Sequence, residues 1–492
     1  MSYNLYYVSS GSFDIFNYGT EDFPSYQALQ YYYSNFNEKV MLSYLGRVAY
    51  NYKQRYLMEF TFRRDGSSVF GEDVRWANFP AIAVGWAFSD ESFMDRVSWL
   101  NLGKIRASWG RSGQIFDDAY LAHGLMGETS TFLGNMGMSG GIINRDLTWE
   151  RSDQYDVGLD LSLFNYRLKL KMDYYYKYTK SLLYEVEIPG DFHGSGKQVQ
   201  NAMEVSNQGI EVEALMDIFR ESAVSWRMKV TFSRNWNRFE KSYTGMDIDR
   251  LVIGKPLNGV YVLDDRGFFQ KDNEVPVYYD SQGVENVLFN YPDQPYGAGM
   301  RRILDIDGNG RIDSDDEYYA GATFPKASGG IVNEISWKNF DLNILCVYSL
   351  GRRMVNNYAL PSLNAGTGAG PIFYDFRNKK FWEKEGDQAD LPRMNQYLGS
   401  RDGQFTGLIR SNLEKVNYLK VKQLTIGYTL PHSWAKKVCL SGVRVFVTGE
   451  NLLTWTNYSG LDPEVVNLET GTDSFDNYPL ARKWSVGLTV NF

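Results

Sequence analysis

Cysteine and histidine are scarce in this chain of 492 residues, which contains two Cys and three His. Cys346 lies in an apolar run and Cys439 near a turn, and no Cys-x-x-Cys pair occurs, so we expect both to be packing residues. His123, His193 and His432 are far apart, and the motif His-Glu-x-x-His is missing. These absences argue against a disulfide framework, a zinc site and a histidine-based catalytic triad.

Long apolar runs and an excess of basic residues are also missing. No run approaches about 18 apolar residues, which argues against helical membrane spans. The formal net charge is −8, and the 51 Lys and Arg residues are dispersed without a basic arm, so no nucleic acid is expected as a partner. Residues 1–10 lack the pattern of a secretory signal. For an exported protein, this predicts the distal piece of a longer chain.

Aromatic residues, in contrast, make up 16% of the chain. In the last ten residues, Lys483 to Phe492, every second side chain from Trp484 onward is apolar. A period of two is that of a β-strand with one apolar face. A terminal strand that ends on an aromatic residue is typical of outer-membrane barrels, which place aromatic girdles at the membrane edges.

The same alternation recurs along the chain and predicts antiparallel hairpins. The clearest hairpin runs from Tyr155 to Lys177, with only Phe164-Asn165-Tyr166 between its strands. A helix would space its apolar residues three and four apart, so this pattern indicates strands. Further strands are predicted within 44–62, 80–88, 104–110, 210–236, 331–348, 418–430 (with a bulge) and 443–449.

These patterns amount to about thirteen strands, and their connections alternate between short and long. The long connections are 111–153, 179–208, 237–326 and 351–416. Short turns at one end and long loops at the other are typical of outer-membrane barrels, whose long loops are extracellular. The predicted fold is therefore all-β: residues 1–492 form the C-terminal portion of a transmembrane antiparallel β-barrel, incomplete and open, in which residues 1–40 are strand or loop.

The sharpest local motif is the stretch from Asp305 to Asp316, within the longest loop. Its oxygen-bearing side chains, its glycine at the sixth position and its last carboxylate have the spacing of a calcium-binding loop. The last position is Asp instead of the usual Glu, and no helices flank the loop, so a solvated Asp/Gly turn remains the alternative. The predicted ligands of a structural Ca²⁺ are Asp305, Asp307, Asn309, Asp313 and Asp316, with the carbonyl of Arg311.

No pattern indicates catalysis, and the chain is not expected to be an enzyme. Carboxylates are plentiful in the loops, but nothing selects a glycosidase pair among them. Loop aromatics such as Trp382, Trp455 and Tyr458 could stack on sugar rings, although packing between neighbouring loops is the favoured interpretation of each.

A set of short stretches occurs in a specific order from about residue 40 to the end. They are Tyr44-Leu-Gly-Arg-Val-Ala-Tyr50, Arg63-Arg-Asp-Gly-Ser-Ser68, Arg75-Trp76 with Phe79-Pro80, Gly85-Trp86, Glu91-Ser-Phe93, Asp305 to Asp316 with Phe324-Pro325-Lys326, Leu419 to Pro431, Gly449-Glu-Asn-Leu-Leu453, and Gly460-Leu-Asp-Pro-Glu464. In this order they resemble the C-terminal half of the SusC/RagA family of TonB-dependent outer-membrane transporters.

The resemblance implies a barrel of about 22 strands, plugged by an N-terminal domain, capped by a SusD-like surface lipoprotein and driven by TonB. The implied function is import of an oligomeric nutrient, glycan or secondarily peptide, across the outer membrane of a Bacteroidota-type bacterium. The plug and the earlier strands are not matched. The implied partners are therefore the lipid bilayer, the SusD-like lipoprotein, and a missing N-terminal half with the earlier barrel strands and the plug, which contacts TonB. Without this N-terminal half, the chain is not expected to transport. Arg47, Glu59, Arg63 and Asp160 would line the lumen.

Two other functions remain open. A structural or adhesive outer-membrane barrel would share the strands but need no SusD-like partner. A secreted calcium-dependent protein that binds or processes glycans would need a paired calcium repeat, and the sequence contains none.

Overall fold

The computed structural model is organised around one antiparallel sheet of fourteen long strands. Each strand pairs with the next one along the chain, from β1 at one edge of the sheet to β14 at the other. The strands are β1 (Ser2–Thr20), β2 (Phe23–Tyr52), β3 (Tyr56–Ser67), β4 (Trp76–Ala87), β5 (Leu100–Gln114), β6 (Glu150–Leu163), β7 (Leu168–Glu187), β8 (Lys197–Phe219), β9 (Val224–Lys241), β10 (Ala327–Trp337), β11 (Phe340–Asn356), β12 (Leu413–Thr429), β13 (Gly442–Thr456) and β14 (Lys483–Asn491).

The structure describes most of the chain. The described residues are 2–20, 23–116, 120–122, 126–130, 136–140, 144–187, 197–220, 222–248, 250–290, 294–357, 378–393, 408–436, 440–465, 467, 471–473 and 478–491. Cys439, His123, His193 and Phe492, which the sequence analysis considered, lie outside these ranges.

Alternation along the strands gives the sheet two chemically different faces. On one face, called the apolar face, large side chains stay exposed: Val48 is 66% exposed, Val157 54% and Val486 76%. The other, polar face carries charged side chains such as Arg47 and Glu59, joined at 2.7 Å. Leaving so much apolar area in water would cost about 25 cal/mol per Å². The apolar face is therefore suited to contact with lipid.

The two ends of the sheet also differ. At the turn end, tight connections join the strands: Tyr52 pairs directly with Tyr56, and Lys53 and Gln54 take positive φ angles of 54° and 58°, as expected for a turn that matches the strand twist. At the opposite end, called the loop end, the longest connections lie between β5 and β6, β9 and β10, and β11 and β12. The predicted segregation is therefore found for these loops, but it is not strict: only residues 21–22 separate β1 from β2, and the turn end has longer connections at 88–99 and 430–441. The expected long connection 179–208 is mostly strand, because β7 extends to Glu187 and β8 begins at Lys197.

The predicted hairpins are confirmed, with strands longer than expected. Tyr155 pairs with Tyr176 across the hairpin of β6 and β7, and the predicted bulge in β12 appears as a register shift between Val421 and Gln423. The described sheet has fourteen long strands, against the expected count of about thirteen. Within residues 1–40, which the sequence left as strand or loop, the described residues belong to β1 and to the first part of β2.

The remaining elements are short. The additional strands are Met126–Ser130, Met136–Gly140, Gly259–Leu263, Asp265–Phe268, Val277–Tyr279, Glu285–Val287, Phe289–Asn290, Gln294–Pro295, Arg301–Ile303, Arg311–Ile312, Glu317–Ala322 and Thr472–Asp473. The helical turns are Glu72–Val74, Phe88–Asp90, Ser92–Met94, Asp272–Glu274, Ser314–Asp316, Arg410–Asn412 and His432–Ala435. Within the described part of the chain, none of the helices combines the length and the apolar character needed to span a bilayer.

Residues 259–322, between β9 and β10, form a folded unit at the loop end, called the loop lobe. Strand Gly259–Leu263 pairs with Glu317–Ala322, and Asp265–Phe268 pairs with Arg301–Ile303. Its core consists of buried apolar side chains, joined by Ile409 from the segment before β12. They are Leu263, Phe269, Val275, Leu288, Tyr296, Met300, Ile303, Ile312 and Ile409. The longest loop therefore has its own hydrophobic core.

Candidate functional site

The loop lobe contains the predicted calcium-binding stretch, and the structure brings three of its carboxylates together. One oxygen from each of Asp305, Asp307 and Asp316 lies within 4.8 Å of the others. The chain can wrap this tightly because Gly308 and Gly310 adopt positive φ angles of 74° and 82°, which glycine tolerates without strain.

Backbone amides hold Asp305 and Asp316 in place. Gly308 N donates to Asp305 Oδ1 at 2.7 Å and Gly310 N to Asp305 Oδ2 at 2.9 Å. Asp316 is fully buried and accepts from Ile306 N at 2.6 Å and from Asp313 N at 3.0 Å. The first and last carboxylates of the stretch are thus fixed by the loop itself.

The two carboxylates differ in their protonation energetics. Burial raises the pKa of Asp316 above its ordinary value. Burial also acts to raise the pKa of Asp305, but hydrogen bonds from the Tyr278 hydroxyl and the Gly310 and Gly308 amides outweigh it and hold that pKa below its usual range. Asp316 therefore carries its negative charge at a cost, which a nearby cation would relieve.

The other predicted ligands have local roles. Asn309 Nδ2 donates to Asp307 Oδ2 at 2.7 Å, so Asn309 lies beside the cluster, and its Oδ1 accepts from Arg311 N at 2.7 Å. Asp313 caps the helical turn Ser314–Asp316 by accepting from Asp315 N at 2.9 Å. The structure therefore groups Asp305, Asp307 and Asp316 and leaves Asp313 outside that group.

A second site at the loop end was not predicted from the sequence. Residues 457–465, called the rim segment, follow β13 and fold back onto β11 and β12. Lys420 Nζ, on β12, is 2.8 Å from Glu464 Oε2 and 3.3 Å from Asp462 Oδ2, and the Lys420 side chain is only 2% exposed. Burial acts to raise the pKa of Glu464, but hydrogen bonds from Lys420 and Lys422 lower it below its ordinary value.

Further contacts secure the rim segment. Arg352 Nη1 donates to the carbonyl of Pro463 at 3.1 Å, and Tyr458 donates to Asp473 Oδ2 at 2.6 Å. Tyr458 is only 6% exposed and packs against Met354 and Val416. Its predicted role in packing is thus consistent with the structure. Trp382 also packs as favoured: its ring lies beside Gly299 of the loop lobe, and its Nε1 donates to Gln270 Oε1 at 3.3 Å.

The polar face of the sheet carries a network of paired charges. Arg106 on β5 contacts Asp160 at 2.9 Å and Asp173 at 2.7 Å, and Arg111 contacts Asp153 at 2.8 Å. Arg63, expected to line the lumen, pairs with the buried Asp65 at 2.8 Å. Because these charges share the face opposite the exposed apolar side chains, the sheet presents a hydrated surface on one side only.

A family model described as TonB dependent receptor-like, beta-barrel, matches residues 2–491. The chain belongs to this family. Its relatives are outer-membrane proteins, so this TonB-dependent receptor barrel is an outer-membrane protein, as the sequence predicted. The resemblance drawn from the short motifs is confirmed.

Individual relatives refine the comparison. TonB-dependent receptor P3 of Formosa agariphila is 30% identical over 486 residues, covering 93% of this chain and 46% of that protein. TonB-dependent receptor SusC of Bacteroides thetaiotaomicron is 28% identical over 477 residues, covering 92% of this chain and 44% of that protein. This receptor chain therefore spans less than half the length of both relatives.

A solved structure confirms the fold. The structure of the RagAB peptide transporter matches with a TM-score of 0.76 at 24% identity, over 94% of this chain and 49% of that one. The all-β barrel fold predicted from the alternating strands is thereby supported independently of sequence identity.

Proposed function

We propose that this chain forms part of the wall and outer loops of a TonB-dependent importer of oligomeric nutrients, with oligosaccharides as the substrate class. A SusD-like surface lipoprotein would cover the loop end, and TonB would supply energy through a plug carried by the full-length protein. The observation that supports transport best is the sheet with one hydrated, charged face and one exposed apolar face. A structural or adhesive barrel would share such a polar face, with paired charges like those of Arg106 and Arg111, so uptake itself has to separate the two functions.

Growth experiments test this proposal. A strain that lacks the full-length gene, and a second strain that lacks the adjacent lipoprotein gene, are grown on a panel of oligosaccharides and on peptides as sole nutrient. We expect both deletions to abolish growth on at least one oligosaccharide and to leave growth on peptides unchanged. Loss of growth only on peptides would reassign the substrate class, and unchanged growth on every nutrient would refute transport.

We also propose that Asp305, Asp307 and Asp316 bind Ca²⁺ and stiffen the loop lobe, with Asn309, Asp313 and the Arg311 carbonyl as the remaining candidates. Three carboxylates within 4.8 Å repel one another unless a cation or protons compensate them. Oxygen donors on a flexible loop suit Ca²⁺. The loop lobe is expected to be more resistant to protease with Ca²⁺ bound.

Calorimetry on the purified full-length protein tests the metal. Asp305→Asn removes a grouped carboxylate and should abolish the heat of Ca²⁺ binding. Asp315→Asn is the matched control, because Asp315 is an exposed carboxylate of the same stretch that lies outside the group. Absence of Ca²⁺ heat in the unmodified protein, or an equal effect of the two variants, would contradict the assignment.

A further inference from the structure

A basic cavity of about 430 Å³ lies at the loop end, where β9 diverges from β10. The last paired residues of these strands are Ser233 and Ser328, and β9 continues to Lys241 beyond them. Four basic side chains line the cavity. They are Arg234, Lys326, Arg353 and Lys415. Among the described residues that line it, none is Asp or Glu, which is unexpected in a chain of net charge −8.

Among the described residues, none forms an ion pair with any of the four cations. Arg234 instead lies over the ring of Trp236 at 4.4 Å from its centroid. Several charged groups of the polar face are paired, in contrast, such as Arg106 with Asp160 and Asp173. Four like charges around one cavity repel each other, so an anion placed between them would be attracted to all four.

Two glycines make room for the cationic side chains. A Cβ at Gly321 would lie 2.6 Å from Arg353 Cγ, and a Cβ at Gly351 would lie 3.2 Å from Lys326 Cγ. Gly351 has a φ of 76° and is fixed by a hydrogen bond of 2.7 Å from its N–H to Asn417 Oδ1. Arg353 and Lys326 therefore lie against backbone positions with positive φ angles, which glycine adopts without strain.

The cavity adjoins a second one of about 750 Å³, and the two share Tyr319, Ala320 and Arg353 in their walls. The second cavity contains one acidic side chain, Asp264, whose oxygens contact Arg410 at 3.0 Å and Arg266 at 2.8 Å. Because two guanidinium groups compensate this carboxylate, the positive character continues from one cavity into the next. Together they offer space for several units of an oligomer.

The lining favours a glycan over a peptide. An acidic peptide would be expected to extend β9 by adding a strand to its free edge. Part of that edge is already occupied, because Phe239 N donates to Lys255 O at 2.9 Å and Gly254 N donates to Phe239 O at 2.7 Å. What remains available is cationic side chains with aromatic rings, among them Tyr319 and the 40% exposed Phe324, which are groups that suit acidic sugars.

We propose that this cavity, called the anion pocket, binds carboxylate or sulfate groups of an acidic oligosaccharide on its way into the barrel. The inference rests on the proposed import of oligosaccharides and narrows the substrate class to anionic ones. Arg353 lies between the two cavities and would contact the anionic groups in either.

Binding measurements on the purified full-length protein test the anion pocket. The probes are an oligogalacturonate hexamer, a neutral maltohexaose, a hexaglutamate peptide and sodium sulfate. We expect the oligogalacturonate to bind more tightly than the neutral hexamer, and its affinity to fall at about 1 M salt, where the Debye length is about 3 Å. The variant Lys326→Gln with Lys415→Gln should weaken oligogalacturonate binding about tenfold and weaken neutral-hexamer binding by a smaller factor.

The control variant also loses two positive charges, but at the opposite end of the sheet. Lys53→Gln with Lys338→Gln removes two exposed lysines from the turn end and should not alter binding. All four substituted lysines are exposed, so both variants are expected to retain the heat-dependent gel migration of a folded barrel. Arg353→Lys, which keeps the charge, should lose less affinity for the oligogalacturonate than Arg353→Gln.

Several results would overturn the inference. These are equal affinity for the acidic and neutral hexamers, equal effects of the two double variants, tighter binding of hexaglutamate, or binding of sulfate without oligogalacturonate. If any of these results is obtained while cells still import neutral oligosaccharides, the proposed import function stands and the anion pocket is refuted. If no oligosaccharide enters cells, the proposed import function is refuted. The binding measurements on the purified variants then still show whether the anion pocket binds acidic oligosaccharides.

Discussion

Replacing Lys420 by Met should release the rim segment from the sheet. Met keeps most of the aliphatic stem of Lys and removes only the ammonium group. That group is the buried partner of Asp462 and Glu464, at 3.3 Å and 2.8 Å. Asp462 is only 8% exposed and also accepts from Leu480 N at 3.1 Å. The substitution therefore leaves a buried carboxylate without its cation.

The free-energy cost of Lys420→Met depends on whether Asp462 and Glu464 each keep another cation. Breaking a buried ion pair by removing one member costs about 3–5 kcal/mol. Glu464 retains Lys422 at 2.5 Å, so Asp462 alone is uncompensated and the lower end, about 3 kcal/mol, applies. If the rim segment opens locally, this free energy corresponds to an increase of about 100-fold in the open population.

Limited proteolysis measures that population, because cleavage of a transiently open segment follows the opening equilibrium when closing is fast. Leu461, 51% exposed within the rim segment, is a site for chymotrypsin. The matched control is Lys422→Met: Lys422 is 33% exposed, and the loss of such a pair costs about 1 kcal/mol or less. We expect cleavage to accelerate about 100-fold in the first variant and less than about 10-fold in the second.

Making the partners of Lys420 neutral as well should restore the resistance of the rim segment to protease. In Lys420→Met combined with Asp462→Asn and Glu464→Gln, no charge remains buried without a partner, and replacing a whole buried ion cluster by neutral groups is often tolerated. Equal cleavage rates in Lys420→Met and Lys422→Met would refute the assignment of a buried pair. So would loss of the heat-dependent gel migration in Lys420→Met, because the effect would then be global unfolding.

Three further outcomes are expected. Protease added to intact cells carrying the full-length protein should cut within 237–326 and 351–416 and spare the short turns; cleavage confined to the turns would reverse the orientation. In EDTA, Asp305→Asn should destabilise the loop lobe at pH 7, because the pKa of Asp305 is lowered in the folded protein. The stability that this lowered pKa contributes is present above the unfolded pKa of about 3.9 and is lost as the pH falls through the folded pKa. Protease protection of the lobe, measured from pH 7 to pH 3, checks this, and a destabilising effect of the substitution that grows on acidification would contradict it. Arg106→Leu leaves the carboxylates of Asp160 and Asp173 side by side on the polar face and should lower the free energy of unfolding in urea by about 1–2 kcal/mol. Arg106→Lys should lower it less, and equal losses in the two variants would show that charge is not the cause.

The sequence predicted those parts of the fold in which chemistry alternates regularly. Tyr155 to Lys177 alternates without a break, so the hairpin of β6 and β7 could be placed. β1 could not, because its polar and aromatic residues follow no period of two. The grouping of Asp305 with Asp316 was predicted because ligand spacing within one loop is a local property.

Sites formed by distant residues left no such signal. Lys420 and Asp462 are 42 residues apart, and nothing in the sequence distinguishes this buried lysine from an exposed one on a strand. The anion pocket was missed for the same reason, since Arg234 and Lys415 lie on strands that are separated by β10 and β11 in the sheet. Only the pairing order of the strands brings such residues to one place.

The distribution of charge at the loop end explains why an acidic chain can present a basic cavity. One carboxylate near the anion pocket is paired with a cation: Glu317 contacts Arg250 at 2.7 Å. The opposite charges of an ion pair largely cancel each other's field at a distance. Among the described residues that line the anion pocket, the four basic side chains have no acidic neighbour, so its local charge is positive although the net charge of the chain is −8. Arg353 is partly buried and lies in the walls of both cavities, and since attraction between charges grows as water is excluded, it is placed to contribute to anion binding in either cavity.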